Sequence, residues 1–280
     1  MRSRILSLVS VFFLFWFVTA TIAYILPPKQ ILTFMIGHLT SCRTLMVFQK
    51  TVLYDPSLEN GVQELDGTIY YRYPDQFRSE LRAPGVSQIQ VVGPEGTLLV
   101  VNEKIIGENV NQPDHFKDVL LYRNAESLIE RLCQMGIDTE TVSLGRFKDK
   151  IAYIIGARCS DDSVPQLWIE KNTFRPIRLI LRKSDDKGGS LEEIEYTDYK
   201  ALGRGNTYPT RILFFENGTL VRMDVAKSFK LNPEISSQLF DFTYLKELYE
   251  PIASARPALK PPSELDEVRK SIRDFRKTFE

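Results

Sequence analysis

The feature that most constrains this chain is a series of short segments in which apolar and polar side chains alternate, each ended by a turn signal. From Gln76 to Arg82, Phe77, Ser79 and Leu81 fall on one side, and Gln76, Arg78, Glu80 and Arg82 on the other. Ile177, Leu179 and Leu181 alternate in the same way with Arg178 and Arg182. Successive side chains of a strand point to opposite faces, so this is the signature of half-buried antiparallel strands. The punctuation is explicit: Asp55-Pro56, Pro74-Asp75, Gly93-Pro94-Glu95-Gly96, Lys171-Asn172, Lys187-Gly188-Gly189 and Asn217-Gly218. Asn-Gly between apolar runs is the strongest short hairpin signal, because both turn positions need positive φ. The spacing predicts about eleven strands with short links between Thr44–Tyr54 and Leu220–Phe229, hence an antiparallel sheet or barrel rather than a parallel α/β fold.

Two helices interrupt this pattern. After Pro27-Pro28, Ile31, Leu32, Met35 and Leu39 recur at helical spacing, which predicts a helix from Lys29 to Leu39 with proline in its first turn. Asn124 is a good N-cap for a second helix carrying Leu128, Ile129, Leu132 and Met135 on one face, and Gly136 suits its end.

The two ends of the chain differ from the body. Arg2 and Arg4 precede an almost purely apolar stretch, Ile5 to Val18, with small residues at Val18-Thr19-Ala20 and again at Thr21-Ile22-Ala23. That is the layout of a secretory signal peptide over 1–23. The rival reading is an uncleaved anchor running on to Leu26; both place the remainder outside the cytoplasm. No cysteine directly follows the apolar run, so the chain is not itself read as a lipid-modified protein. At the other end, residues 251–262 contain Pro251, Pro257, Pro261 and Pro262, a stiff linker. Beyond it Leu265, Val268, Ile272, Phe275 and Phe279 repeat at 3-4-3-4 spacing, an amphipathic helix over 263–280 with Ser263 as N-cap.

Lys+Arg and Asp+Glu both number 36, which leaves no electrostatic footprint for nucleic acid. Cys42, Cys133 and Cys159 lack the close spacing of a zinc site; they read either as one disulfide plus an odd thiol or as three buried thiols. His38 and His115 are the only histidines. His38 reads as a surface or groove residue. His115 follows Gln112-Pro113-Asp114 in a loop, with no nucleophile-elbow motif to support a catalytic triad. Asp161-Asp162 and Asp185-Asp186 read as solvated turns, and Glu192, Glu193 and Glu195 as a strand and its edge with alternate residues in water. No metal, cofactor or enzymatic chemistry is expected. Tyr70, Tyr71 and Tyr73 on one strand, with Phe214 and Phe215 on another, are the more informative signal: sheet packing, or the wall of an apolar cavity.

In order along the chain, the leader, the proline-led helix, TLMVFQKTVLYD, YRYPDQFRSELR, VVGPEGTLLVVNEKIIGE, the mid-chain helix, VPQLWIEKNTFRPIRLIL, YPTRILFFENGTLVRMDV and LNPEISSQLFDF together resemble the LolA-like outer-membrane lipoprotein-sorting proteins of Gram-negative bacteria. The resemblance covers roughly Pro27 to Phe242, within a domain drawn at 27–250. It implies a strongly curved antiparallel sheet, an incomplete barrel closed by two or more helices, with acyl chains of a lipoprotein held between sheet and helices. The terminal linker and helix extend past the usual end of the family.

The resulting expectation is a monomeric, non-enzymatic periplasmic carrier of lipoprotein acyl chains or other lipids, exchanging cargo with an inner-membrane transporter or an outer-membrane acceptor. Leu32, Met35, Phe77, Leu81, Ile89, Val91, Leu179, Leu181, Ile212 and Phe214 are the expected lining, through nonpolar contact alone. The alternative is an envelope sensor or scaffold of the same fold that docks a membrane partner through its terminal helix.

Overall fold

The computed structural model describes residues 25–39, 42–56, 61–108, 115–159, 161–183, 190–203 and 205–251. The expected leader, Asp185-Asp186 and the terminal amphipathic helix lie outside the described residues.

Helix α1 (Pro28–Leu39) leads into strand β1 (Thr44–Tyr54). An antiparallel meander follows: β2 (Val62–Arg72), β3 (Gln76–Ala83), β4 (Val86–Gly93), β5 (Gly96–Val101) and β6 (Lys104–Glu108). Helices α2 (Phe116–Leu121) and α3 (Ala125–Gln134) come next. A second antiparallel meander runs through β7 (Val142–Phe147), β8 (Lys150–Ile155), β9 (Gln166–Glu170), β10 (Pro176–Lys183), β11 (Ser190–Gly203), β12 (Asn206–Glu216) and β13 (Thr219–Leu231). A 3-10 turn (Ser237–Phe240), helix α4 (Phe242–Leu248) and the two-residue strand β14 (Glu250–Pro251) complete the described chain. All strands form one curved, unclosed sheet of 14 strands in the order β14-β6-β5-β4-β3-β2-β1-β13-β12-β11-β10-β9-β8-β7.

The expected class is therefore observed, with, among the described residues, four α-helices and more strands than the count of about eleven. Asn124 accepts from the Ser127 amide at 3.1 Å, as its role of N-cap requires. Asn217 and Gly218 both have positive φ (48° and 79°), and the β12–β13 hairpin turns there. The sequence pattern missed α2 and α4, which are too short, at 6 and 7 residues, to display two helical turns of periodicity.

Topology explains where the helices lie. The first meander ends at β6, beside one edge of the sheet, and the second begins at β7, the other edge. The connection holding α2 and α3 thus returns from one side of the sheet to the other, and its helices pack on one face. Helix α1 joins them, its buried residues Ile31, Leu32, Met35 and Leu39 lying in the same apolar cluster as Leu128 and Leu132 of α3 and Phe116 of α2. Strand β1 shows the consequence in a strict alternation: Leu45, Val47, Gln49, Thr51 and Leu53 are buried, and the residues between them are half-buried.

Both faces of the sheet carry covered regions. On the outer face, the segment through the 3-10 turn and α4 packs Phe240, Phe242 and Leu245 onto Val91, Leu98 and Val100. Farther along the sheet, Trp168, Ile154 and Ala152 form a separate cluster with Ala157. Arg178 spans it, with its guanidinium carbon 5.5 Å from the Trp168 ring, paired to Glu193 at 2.5 Å and Asp162 at 3.0 Å.

Three expectations change here. Cys42 is buried but Cys133 and Cys159 are exposed, and no disulfide joins any of them. Their positions separate them: Cys42 lies in the main core, whereas Cys133 is on the outer side of α3. Glu192 and Glu195 are buried, not at a wet edge, because β11 is an interior strand between β10 and β12. Asp162 is not merely solvated, since it neutralises Arg178.

Gly156 is a position where only glycine fits. Its φ is +108°, and an added Cβ would lie 2.5 Å from the Pro165 carbonyl oxygen and 2.8 Å from Ile137. Gly156→Ala is expected to lower unfolding free energy by about 2–4 kcal/mol, from strain plus backbone clash. Gly218→Ala, whose Cβ meets open space, should cost about 1 kcal/mol. Urea denaturation of the two variants checks the ranking.

Candidate functional site

The space between α1–α3 and the sheet holds the largest buried apolar cluster among the described residues. From α1 it receives Leu32 and Met35; from the sheet it receives Phe77, Leu179, Leu181, Ile212 and Phe214, all in one buried cluster. Each strand contributes alternate residues, and cross-strand pairing aligns them: Leu179 sits opposite Ile194, and Ile194 opposite Phe214. These seven expected lining residues are thus brought together.

The other three are not. Leu81 is on the same side of β3 as Phe77 but packs in a separate small cluster with Leu53 and Leu65. Ile89 and Val91 lie on the outer face, Val91 buried under Phe240, Phe242 and Leu245 with Ile89 packed beside it. Register decides this. Phe77 pairs with Val92 and Ser79 with Gln90, so Gln88, Gln90 and Val92 share the helix-covered side of β4.

Aromatic rings connect the helices to the sheet. Phe116 at the start of α2 lies edge-on to Phe77 (6.2 Å) and to Phe214 (5.6 Å). Tyr71 lies edge-on to Phe77 at 5.3 Å, and its hydroxyl is 3.2 Å from that of Tyr208. The Tyr196 hydroxyl donates to the Phe116 carbonyl at 3.2 Å. Burial pushes the Tyr71, Tyr196 and Tyr208 phenols above their ordinary range, so they stay neutral donors. Phe116 escaped the sequence reading because it opens a helix of only six residues that also buries Lys117 and Asp118. Of the singled-out tyrosines, Tyr71 joins this core, Tyr70 packs on the outer cluster, and Tyr73 lies beneath the Arg123 guanidinium, 3.7 Å from its ring centre.

Polar groups border the apolar region. Arg222 binds Asp224 through two contacts, at 3.0 and 2.7 Å, and Thr51 donates to the same carboxylate at 2.7 Å. The Arg222 guanidinium lies 4.5 Å from the Phe214 ring centre. At the α2–α3 junction, buried Asp118 meets Arg131 at 2.9 Å, Lys117 at 3.4 Å and His115 at 3.5 Å. Burial alone would raise the Asp118 pKa, but the Lys117 ammonium, His115 and Arg131 outweigh it and hold the carboxyl well below the usual carboxylate range. A polar pocket of about 320 Å³ opens beside this junction, lined by Asp75, Tyr122, Arg123 and Arg131 among others.

Helix α1 is held by few directional contacts. Thr207 donates to the His38 carbonyl at 2.8 Å, and Lys29 pairs with Glu126 of α3 at 2.6 Å in solvent. Phe34 and His38, both exposed, lie 4.9 and 6.0 Å from the ring of Phe174, a residue with φ of +51° in the β9–β10 turn. His38 is thus an exposed surface residue of α1. Among the described residues no three His, Cys, Asp or Glu side chains are grouped to hold a metal, and no helix is long and apolar enough to cross a membrane.

No protein-family model matches the sequence, and no curated protein sequence does. Solved structures do match it. An outer membrane lipoprotein-sorting protein domain from Vibrio parahaemolyticus superposes with a TM-score of 0.54 at 11% identity, over 78% of this chain and 97% of that one. A LolA superfamily protein from Nitrosomonas europaea gives 0.54 at 13% identity, over 79% and 100%. A DUF1329 family protein from Desulfovibrio piger gives 0.54 at 10% identity, over 78% and 97%. The chain has the LolA-like fold that the sequence pattern suggested.

Asp118 yields a pH prediction. Its folded pKa is depressed, so its stabilisation is present above the unfolded value near 4 and is lost as pH falls further toward the folded pKa. Asp118→Asn should cost about 3 kcal/mol or more at pH 7, by stranding buried cations. It should also flatten the loss of stability below about pH 4. Denaturant midpoints at pH 7 and pH 3 for both proteins test this.

Proposed function

We propose that this protein is a periplasmic carrier that takes acyl chains of lipoproteins, or other lipids, into the apolar layer between α1–α3 and the sheet and passes them toward the outer membrane. The observation that carries the reading is the convergence of Leu32, Met35, Phe77, Leu179, Leu181, Ile212 and Phe214 beneath helices on a sheet with the LolA-like fold. Nonpolar contact is the whole of the chemistry required. Each methylene moved from water into such a layer gains about 0.8 kcal/mol, so a dry apolar interior suffices to hold a lipid tail.

In the described structure that layer is filled by the protein's own side chains, and cargo has to displace some of them. Helix α1 is the element suited to move. Its hold is mainly nonpolar, through buried Ile31, Leu32, Met35 and Leu39; the hydrogen bond from Thr207 and an exposed ion pair add little, since exposed ion pairs contribute about 1 kcal/mol or less. The acyl chain then replaces the apolar contacts that α1 gives up, which keeps opening and closing near balance. Arg2, Arg4 and the apolar run after them support an exported location, and nothing in the arrangement around His115 supports catalysis: Asp118, its carboxylate neighbour, is already bound to two cations.

Native mass spectrometry of protein purified from a membrane-containing host is expected to show bound masses of acylated peptide or phospholipid. Leu32→Glu, with folding verified by circular dichroism, should weaken uptake of a fluorescent fatty acid about tenfold or more, as a carboxylate in a dry layer must. An empty spectrum together with no uptake by the wild-type protein overturns the proposal.

A further inference from the structure

The outer face of the sheet is covered at two places, and between them no described helix or turn lies over it. The 3-10 turn and α4 cover β3–β6, and the Trp168 cluster lies toward β7. Between these, Val52, Tyr54, Leu213, Phe215, Leu220 and Met223 point outward. They are half-buried, and they belong to none of the buried clusters. Pairing makes them one strip: Leu213 lies opposite Met223, Met223 opposite Val52, and Phe215 opposite Leu220. Tyr54 lies opposite Val62, which is 43% exposed. A strip running from β12 across β13 and β1 to β2 is about 14 Å wide at the usual strand spacing. A contiguous apolar surface of this kind marks an interaction site.

We propose that the occupant is the chain's own C-terminal segment, residues 263–280, docked with its apolar stripe on this strip. The described chain reaches Pro251 on β14, directly after α4, which already packs on the same outer face. From β14 to β1 is six strand steps, about 29 Å along the sheet. Residues 252–262, with Pro257, Pro261 and Pro262, span about 34 Å when extended. The linker therefore reaches. By spacing, Leu265, Val268, Ile272, Phe275 and Phe279 would share one side of a helix, with the charged residues between them on the other. That stripe is about 21 Å long, enough to cross the strip. This docking is independent of the carrier reading, since it uses the opposite face of the sheet.

Hydroxyl-radical footprinting of the full chain, compared with a chain ending at Pro262, tests it. Truncation is expected to raise oxidation of Met223, Phe215 and Tyr54 at least threefold, while Phe34 on α1 is unchanged. A peptide of residues 263–280 should restore protection, and Ile272→Glu with Phe275→Glu in the full chain should reproduce the truncation. Equal oxidation in full and truncated monomers overturns the proposal. So does protection that survives truncation and grows with protein concentration, which assigns the strip to a second copy. Protection of the truncated chain by lipid vesicles, with no effect of the peptide, overturns it in favour of a membrane surface.

Discussion

The architecture depends on the pairing of β1 with β13. Each meander is held internally by local hairpins, but only this contact, from Leu45 opposite Leu231 to Leu53 opposite Arg222, joins the two into one sheet. It is reinforced where it is buried. Thr51 on β1 donates to Asp224 on β13, which in turn binds Arg222. A paired and hydrogen-bonded buried charge of this kind specifies register, because sliding by one residue would turn Arg222 and Asp224 together to the other face and part the carboxylate from Thr51. The register shift between Phe48 and Gln49 sits within the same pairing.

Once the meanders are joined, the sheet has two unlike faces. The helix-covered face holds the long aromatic and aliphatic side chains that the carrier reading uses. The outer face is built in patches, each under its own short covering segment. Arg178 illustrates the economy of the outer face: one guanidinium packs on Trp168 and pairs with both Glu193 and Asp162, tying the 161–165 loop to two strands.

Much of this was legible in the sequence because half-buried antiparallel strands record their environment in alternation, and because Asn124, Gly136 and Asn217-Gly218 have local physical roles. What was not legible is nonlocal. Gln88-Ile89-Gln90-Val91 alternates cleanly, and its apolar members suggest an interior wall. The structure inverts that side because residues 235–248 cover β4 from outside, a contact between segments far apart in sequence. Phe116 was hidden for a different reason: Phe-Lys-Asp reads as polar and short, and only tertiary packing buries Lys117 and Asp118 beside it. The end of β7 at Phe147 was hidden too, since Lys148 and Asp149 make a turn with positive φ at both positions without a glycine to announce it.

The place of β1 in the middle of the sheet has a temporal meaning. A chain made from its N-terminus completes β1 through β6 well before β13 exists. Throughout that interval β1 is an edge strand, with its free amides and carbonyls and the apolar residues Leu45 and Val47 available to any neighbour. The final strand of the second meander is thus a latecomer on which the first half waits. Shielding β1 until that moment is a requirement that the fold places on whatever handles the nascent chain.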